Sequence, residues 1–280
     1  MSSFPPEADR PEEASAGVPM GLPVAQPIMA PAPVPSGRPD PMLLREVGRW
    51  GCALDVGVFV GVLVACLVFV GSVVSLPWQR AGGDARLLNL LMVLVNGVFT
   101  VVLAVGLTRW RGLRLASLGL SRKRLGTHLA LGAATTVATF AVFWLAVVGM
   151  LLFWPAGYQA LLNNPQEICK ELPRMGPAAL VGFTAVVGLW EEMTFRGFLL
   201  PRLRRLTGSW VVAVLLSSAL FAILHIELQV VPITVPLFAI AVLWCGVTIW
   251  RRSLLPAIVA HFVFNLVQLL WMTATTPEWQ

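Results

Sequence analysis

The chain has 280 residues, of which 57% are hydrophobic and 12% charged, with 11 tryptophans against a single tyrosine. That balance excludes an ordinary soluble domain and describes a chain that crosses a membrane several times. Its formal charge of +6 would suit nucleic acid in a soluble protein, but here basic loops that follow the positive-inside rule account for it, and no nucleic-acid partner is expected.

Residues 1–42 carry 11 of the 21 prolines together with Ala, Glu, Ser and Gly, a composition that cannot bury enough surface to offset its ordering entropy. A disordered cytoplasmic tail is expected. It lacks the basic opening of a cleaved signal peptide, so the first apolar segment should remain as an anchor. Arg45, Arg49 and Trp50 then read as an interfacial lead-in.

Apolar runs follow at about 53–78, 87–108, 129–154, 177–200, 210–226, 231–249 and 254–273. Each approaches the roughly 20 residues needed to cross a hydrocarbon core of about 30 Å. The expected fold is therefore all-α, a polytopic transmembrane helix bundle of about seven spans. Residues 43–154 form its N-terminal helices, 155–176 an external loop, and 177–273 a core of the remaining spans. The 210–226 and 231–249 runs are separated by so few residues that they should form an antiparallel hairpin.

Basic residues alternate between the two sides. Arg109, Arg111, Arg114, Arg122, Lys123 and Arg124 fill one connection, Arg202, Arg204 and Arg205 a second, and Arg251 and Arg252 a third, while the alternate connections hold Arg80, Arg86, Lys170 and Arg174. This asymmetry predicts a cytoplasmic N-terminus. Cys52, Cys66, Cys169 and Cys245 lie far apart without C-x-x-C spacing, which argues against a disulfide framework or a thiolate metal site.

The densest chemistry lies in Trp190–Leu200, W-E-E-M-T-F-R-G-F-L-L. An ionised group at the centre of a membrane helix costs roughly 2.5 to 3.5 kcal/mol on insertion scales, and such groups normally face a partner inside the bundle. Glu192 and Arg196 are four residues apart and should pair on one face. Glu191 points about 100° away and is left free for proton transfer. His225 ends F-A-I-L-H, one turn after Phe221, and His261 opens H-F-V-F-N, one turn before Asn265. With a reversal near Thr207 and Gly208, Glu191 and His225 lie about 24 and 26 Å from the turn at 1.5 Å per residue, hence at one level. His261, about 14 Å from Arg252, is also inside the core. Singly, each residue reads as a brace, a core histidine or interhelical glue; at matched depth they read as a site.

These residues resemble the CPBP intramembrane proteases, also called the Abi family, which include the type II CAAX prenyl endopeptidase. The family pattern E-E-x-x-x-R, F-x-x-x-H, H-x-x-x-N/D is met in order by Glu191, Glu192 and Arg196, by Phe221 and His225, and by His261 and Asn265. F-R-G-F-L-L and S-L-L-P-A-I-V-A-H are similar to the family as well, and the resemblance covers about 177–273. It implies an intramembrane peptide hydrolase in which Glu191 and His225 activate water, His261 and Asn265 donate to the oxyanion, and Glu192 and Arg196 support the helix. The implied partners are the lipid bilayer and a membrane-anchored or lipidated protein substrate, with cleavage at a C-terminal anchor or CAAX-like tail. The expected location is a multi-pass position in a plasma membrane of the bacterial inner-membrane kind. No cofactor is favoured. A competing reading puts zinc on Glu191, His225 and His261, but H-E-x-x-H is absent and an Asn one turn from a His suits hydrogen bonding better. The rival class is a non-catalytic protein of the same fold, acting in bacteriocin immunity or as a scaffold.

Overall fold

A computed structural model of the chain describes residues 42, 44, 46–120, 124–227 and 229–277. The chain divides into two units, Met1–Arg38 and Pro39–Gln280. The first lies outside the described residues, as do the rest of the expected tail apart from Met42, and Arg45, Arg122 and Lys123 of the basic stretches. All that follows concerns the second unit.

Its elements are helical, in the order α1 (Arg49–Phe69), a π-helical turn, α2 (Leu76–Arg80), α3 (Ala85–Trp110), a short 3-10 turn, α4 (Leu125–Phe153), α5 (Pro155–Leu161), α6 (Asn164–Glu171), α7 (Pro177–Glu192), a π-helical segment (Met193–Leu199), α8 (Leu200–Thr207), α9 (Trp210–Leu224), α10 (Thr234–Arg251) and α11 (Leu255–Thr275). The sequence places the ends. Proline opens α5 and α7, where its missing N–H costs nothing. Asp84 caps α3 through the Arg86 amide, and Ser209 caps α9 through Val212. Gly208 adopts φ 74° to close α8, a conformation that favours glycine.

Among the described residues six segments are long and apolar enough to cross a bilayer: Arg49–Cys66, Ala85–Trp110, Leu125–Phe153, Pro177–Thr207, Val231–Arg251 and Leu255–Thr275. The seventh expected span, 210–226, differs. Its helix is only 15 residues long, Trp210–Leu224, before the chain tightens into a 3-10 turn at His225–Glu227. At 1.5 Å per residue that is about 22 Å, short of a hydrocarbon core of about 30 Å. Two further expectations are revised. Arg202, Arg204 and Arg205 belong to a helix that runs on from the fourth span rather than to a loop, and the 155–176 connection holds two short helices.

The bundle is organised around α11, which packs against α4 on one side and α7 on the other. Both contacts depend on missing side chains. A Cβ on Gly132 of α4 would stand 2.7 Å from the Val259 side chain, and one on Gly188 of α7 would stand 3.2 Å from the Phe262 amide nitrogen. Small residues admit this close backbone approach, which is how helices associate where no hydrophobic drive separates them from lipid. His261 lies between Val259 and Phe262, so its position along the bundle is fixed from two sides.

A second anchor ties the N-terminal helices to the end of the fourth span. Asp55 of α1 is buried and accepts from Arg111 Nε at 2.8 Å and from Arg202 Nε at 3.0 Å. Arg202, itself buried, lies with its guanidinium carbon 3.6 Å from the centroid of the Phe198 ring and also donates to the Phe198 carbonyl. Two cations on one buried carboxylate satisfy the requirement that a charge removed from water be paired.

Candidate active site

The site forms where the fourth span changes pitch. α7 ends at Glu192 and the next seven residues form a π-helical segment, a local widening found frequently at functional sites. Every residue from Glu191 to Arg202 is buried, so the two carboxylates and Arg196 face protein rather than lipid.

Glu192 is fully buried, and its Oε1 accepts from Arg196 Nη1 at 2.9 Å and from His261 Nδ1 at 3.0 Å. The first contact is the pair expected from the spacing. The second joins residues 69 positions apart and makes Glu192 the holder of a histidine as well as a helix brace. Arg196 has its guanidinium carbon 4.4 Å from the Phe221 ring centroid and 5.2 Å from that of Trp244. Aromatic faces stabilise a cation out of water, which compensates for a guanidinium whose Nε and Nη2 find no hydrogen-bond partner.

His225 stands at the C-terminal end of α9, where its Nδ1 lies 2.7 Å from the Phe221 carbonyl oxygen. A carbonyl can only accept, so Nδ1 carries the hydrogen. A carboxylate paired with Arg196 can likewise only accept, which puts a hydrogen on His261 Nδ1 as well. With Nδ1 carrying the hydrogen of a neutral ring, each Nε2 is left with a lone pair, and both Nε2 atoms face one carboxylate oxygen. His225 Nε2 is 3.8 Å and His261 Nε2 3.5 Å from Glu191 Oε2, which is buried and has no hydrogen-bond partner among the described residues.

Three acceptors thus converge at separations too long for direct hydrogen bonds. Among the described residues no group of three or more His, Cys, Asp or Glu side chains stands out as able to hold a metal ion, while histidines held at Nδ1 by a carbonyl and a carboxylate, with Nε2 turned inward, are also arranged as zinc-ligating histidines are.

Of the residues singled out from the sequence, Glu191, Glu192, Arg196, Phe221, His225 and His261 come together. Phe221 is the hub, edge-on to Phe195, Trp244 and His261 and tilted against His225. Asn265 lies one turn beyond His261 on α11, half-buried, and takes no part in these contacts. Trp244, stacked on His261 at 4.5 Å between centroids, is the participant the sequence did not single out. One tryptophan among eleven in apolar runs carries no local signal.

The helices and the cluster together define a polytopic helical membrane protein with a buried acid–base site of two glutamates, two histidines and an arginine. Residues 173–267, from just before α7 to beyond Asn265, match the family described as Type II CAAX prenyl endopeptidase Rce1-like. That match is consistent with the CPBP family, and the matched family is one of proteases. The match includes every site residue and leaves α1 to α6 outside. No curated protein and no solved structure matches the chain.

Proposed function

We propose that the protein is an intramembrane endopeptidase that uses Glu191 as its base. The observation that carries this reading is the convergence of Glu191 Oε2 and the Nε2 atoms of His225 and His261 on one space, where a water could donate both hydrogens to acceptors. Glu191, with His225 beside it, takes a proton from that water as its oxygen bonds to a peptide carbonyl carbon. His261, which takes up a proton from solvent on Nε2 as substrate enters, and the Asn265 amide donate to the oxyanion. Collapse breaks the C–N bond, and Glu191 returns its proton to the departing amine. The reading is metal-free, resting on the absence of H-E-x-x-H and on Asn265, one turn from His261, which suits hydrogen bonding better than zinc.

The substrate class is a protein held at the membrane by a C-terminal anchor or a lipidated CAAX-like tail. The cluster lies roughly 24 Å along the helix from the Thr207–Gly208 reversal, a depth that suits a tethered chain over a soluble peptide. The distribution of basic residues between alternate connections supports a cytoplasmic N-terminus.

The test uses purified full-length protein in proteoliposomes, with one reporter ending in a farnesylated CAAX tail and one ending in an apolar anchor. Cleavage of either by the wild type, lost in Glu191→Gln and retained after chelator treatment, supports the proposal. Loss on chelation with recovery by zinc would replace it with the metal reading. No cleavage of either would favour the scaffold class.

A further inference from the structure

We propose that Trp244, suspended from Thr139, is a positioning residue that sets the plane of the His261 ring; the proposal rests on the protease reading above. Of the described tryptophans only Trp244 is fully buried. Its indole Nε1 donates to Thr139 Oγ1 on α4 at 2.9 Å, and the Thr139 hydroxyl donates in turn to the Thr135 carbonyl at 2.8 Å. The hydroxyl's one proton is thereby spent on its own helix, which leaves a lone pair for the indole. Both residues are closed to solvent and lipid, in a region otherwise filled by Phe143, Phe264, Ala241 and Ala260. A polar bond in such a place is costly unless made, and a purely apolar filler would have served packing alone.

The geometry says what the bond can do. His261 is held at one atom, Nδ1, by Glu192, which leaves the imidazole free to swing about that hydrogen-bond axis. Trp244 lies nearly parallel to it, at 4.5 Å and 27°, while Phe221 stands edge-on at 5.9 Å and 78°. A face and an edge together remove the swing, and Nε2 is held towards Glu191 Oε2 at 3.5 Å. Trp244 is itself fixed against rotation by Thr139. The column Thr139–Trp244–His261 therefore carries orientation from α4 through α10 to α11. A displacement of about 1 Å at a reacting group can cost a hundredfold in rate.

The experiment compares wild type, Thr139→Val, Thr139→Ser, Trp244→Phe and the double Thr139→Val/Trp244→Phe variant, each full-length and reconstituted, on the farnesylated CAAX and apolar-anchor reporters. Thr139→Val and Trp244→Phe should each lower kcat about tenfold with KM within about twofold, and Thr139→Ser should recover the loss. The double variant should be no slower than Trp244→Phe, since both changes cut the same bond. Unchanged kcat in both single variants, additive losses in the double variant, or a Thr139→Ser variant as slow as Thr139→Val would overturn the proposal. Should the wild type cleave neither reporter, the protease reading fails and a second readout judges the column by itself. The chain has three histidines, so the imidazole 15N spectrum, assigned by removing each in turn, resolves His261. One sharp Nδ1-protonated form that broadens in Thr139→Val sustains the positioning role, and a His261 signal indifferent to both substitutions refutes it.

Discussion

Glu191→Gln and Glu192→Gln, adjacent and chemically identical changes, should move stability in opposite directions. Glu192 accepts from both Arg196 and His261 and is fully buried. An amide in its place leaves Arg196 a buried cation with no carboxylate against it and puts its NH2 at the Oε2 position, which has no hydrogen-bond partner among the described residues. Removing one partner of a buried ion pair costs about 3 to 5 kcal/mol. Glu191 stands in the opposite situation, because its Oε2 meets two Nε2 lone pairs and no donor. A glutamine amide supplies two N–H donors to those acceptors, at about 0.5 to 1.5 kcal/mol gained per neutral hydrogen bond, and averaging nearer 0.6 within membranes. Thermal unfolding of the detergent-solubilised variants should therefore give the order Glu192→Gln well below wild type, with Glu191→Gln at or slightly above it. Activity should be lost in both. Equal melting of the two variants, or a Glu191→Gln protein that melts well below wild type, would refute the assignment of hydrogens on which the site description rests.

Other consequences are simpler. Asp55→Asn uncovers two arginines that share one buried carboxylate and should cost about 3 kcal/mol or more, read as a lower melting temperature. The fraction that folds should keep its rate, since Asp55 is remote from Glu191 in function. Gly197→Ala puts a Cβ 2.8 Å from the Leu118 carbonyl oxygen, a backbone atom that cannot rotate aside; about 1 to 3 kcal/mol of destabilisation is expected, in the same unfolding assay. Asn164 both donates to the Gln229 side chain and accepts from the Val230 amide. Asn164→Ala should cost about 1 kcal/mol or less while raising proteolytic nicking of the connection after His225, seen on gels after brief protease treatment.

The legible part of the site was carried by helix geometry. The i,i+4 spacing of Glu192 and Arg196 gave a 2.9 Å pair, and counting residues from the Thr207–Gly208 turn put Glu191 and His225 at one level. What escaped was long-range. Nothing local tells that Glu192 also receives His261, or that Thr139 and Trp244 back that ring, since each belongs to an apolar run whose composition suits lipid and protein interior alike. Asp55 did leave a sign, as an acid inside the first apolar run, and its partners were visible too. Arg111 and Arg202 read as loop charges because the positive-inside rule counts basic residues without asking which way they face. The seventh run forms a shorter helix than its hydropathy suggests for a related reason: hydropathy continues to Ile226, but the helix ends at His225, where the ring turns back to bond the carbonyl of Phe221. The π-helical segment after Glu192 preserves the same apolar character as an α-helix and left no mark in the pattern.

The central claim is that Glu191 is the base of a peptide hydrolase, and the most direct measurement is the single-turnover rate of reporter cleavage in proteoliposomes, wild type against Glu191→Gln, with folding of both confirmed by melting. A drop of about a thousandfold or more in a variant that melts no lower than wild type is the predicted result, an amide being unable to accept the proton from water. Cleavage by Glu191→Gln within about tenfold of the wild-type rate would contradict it.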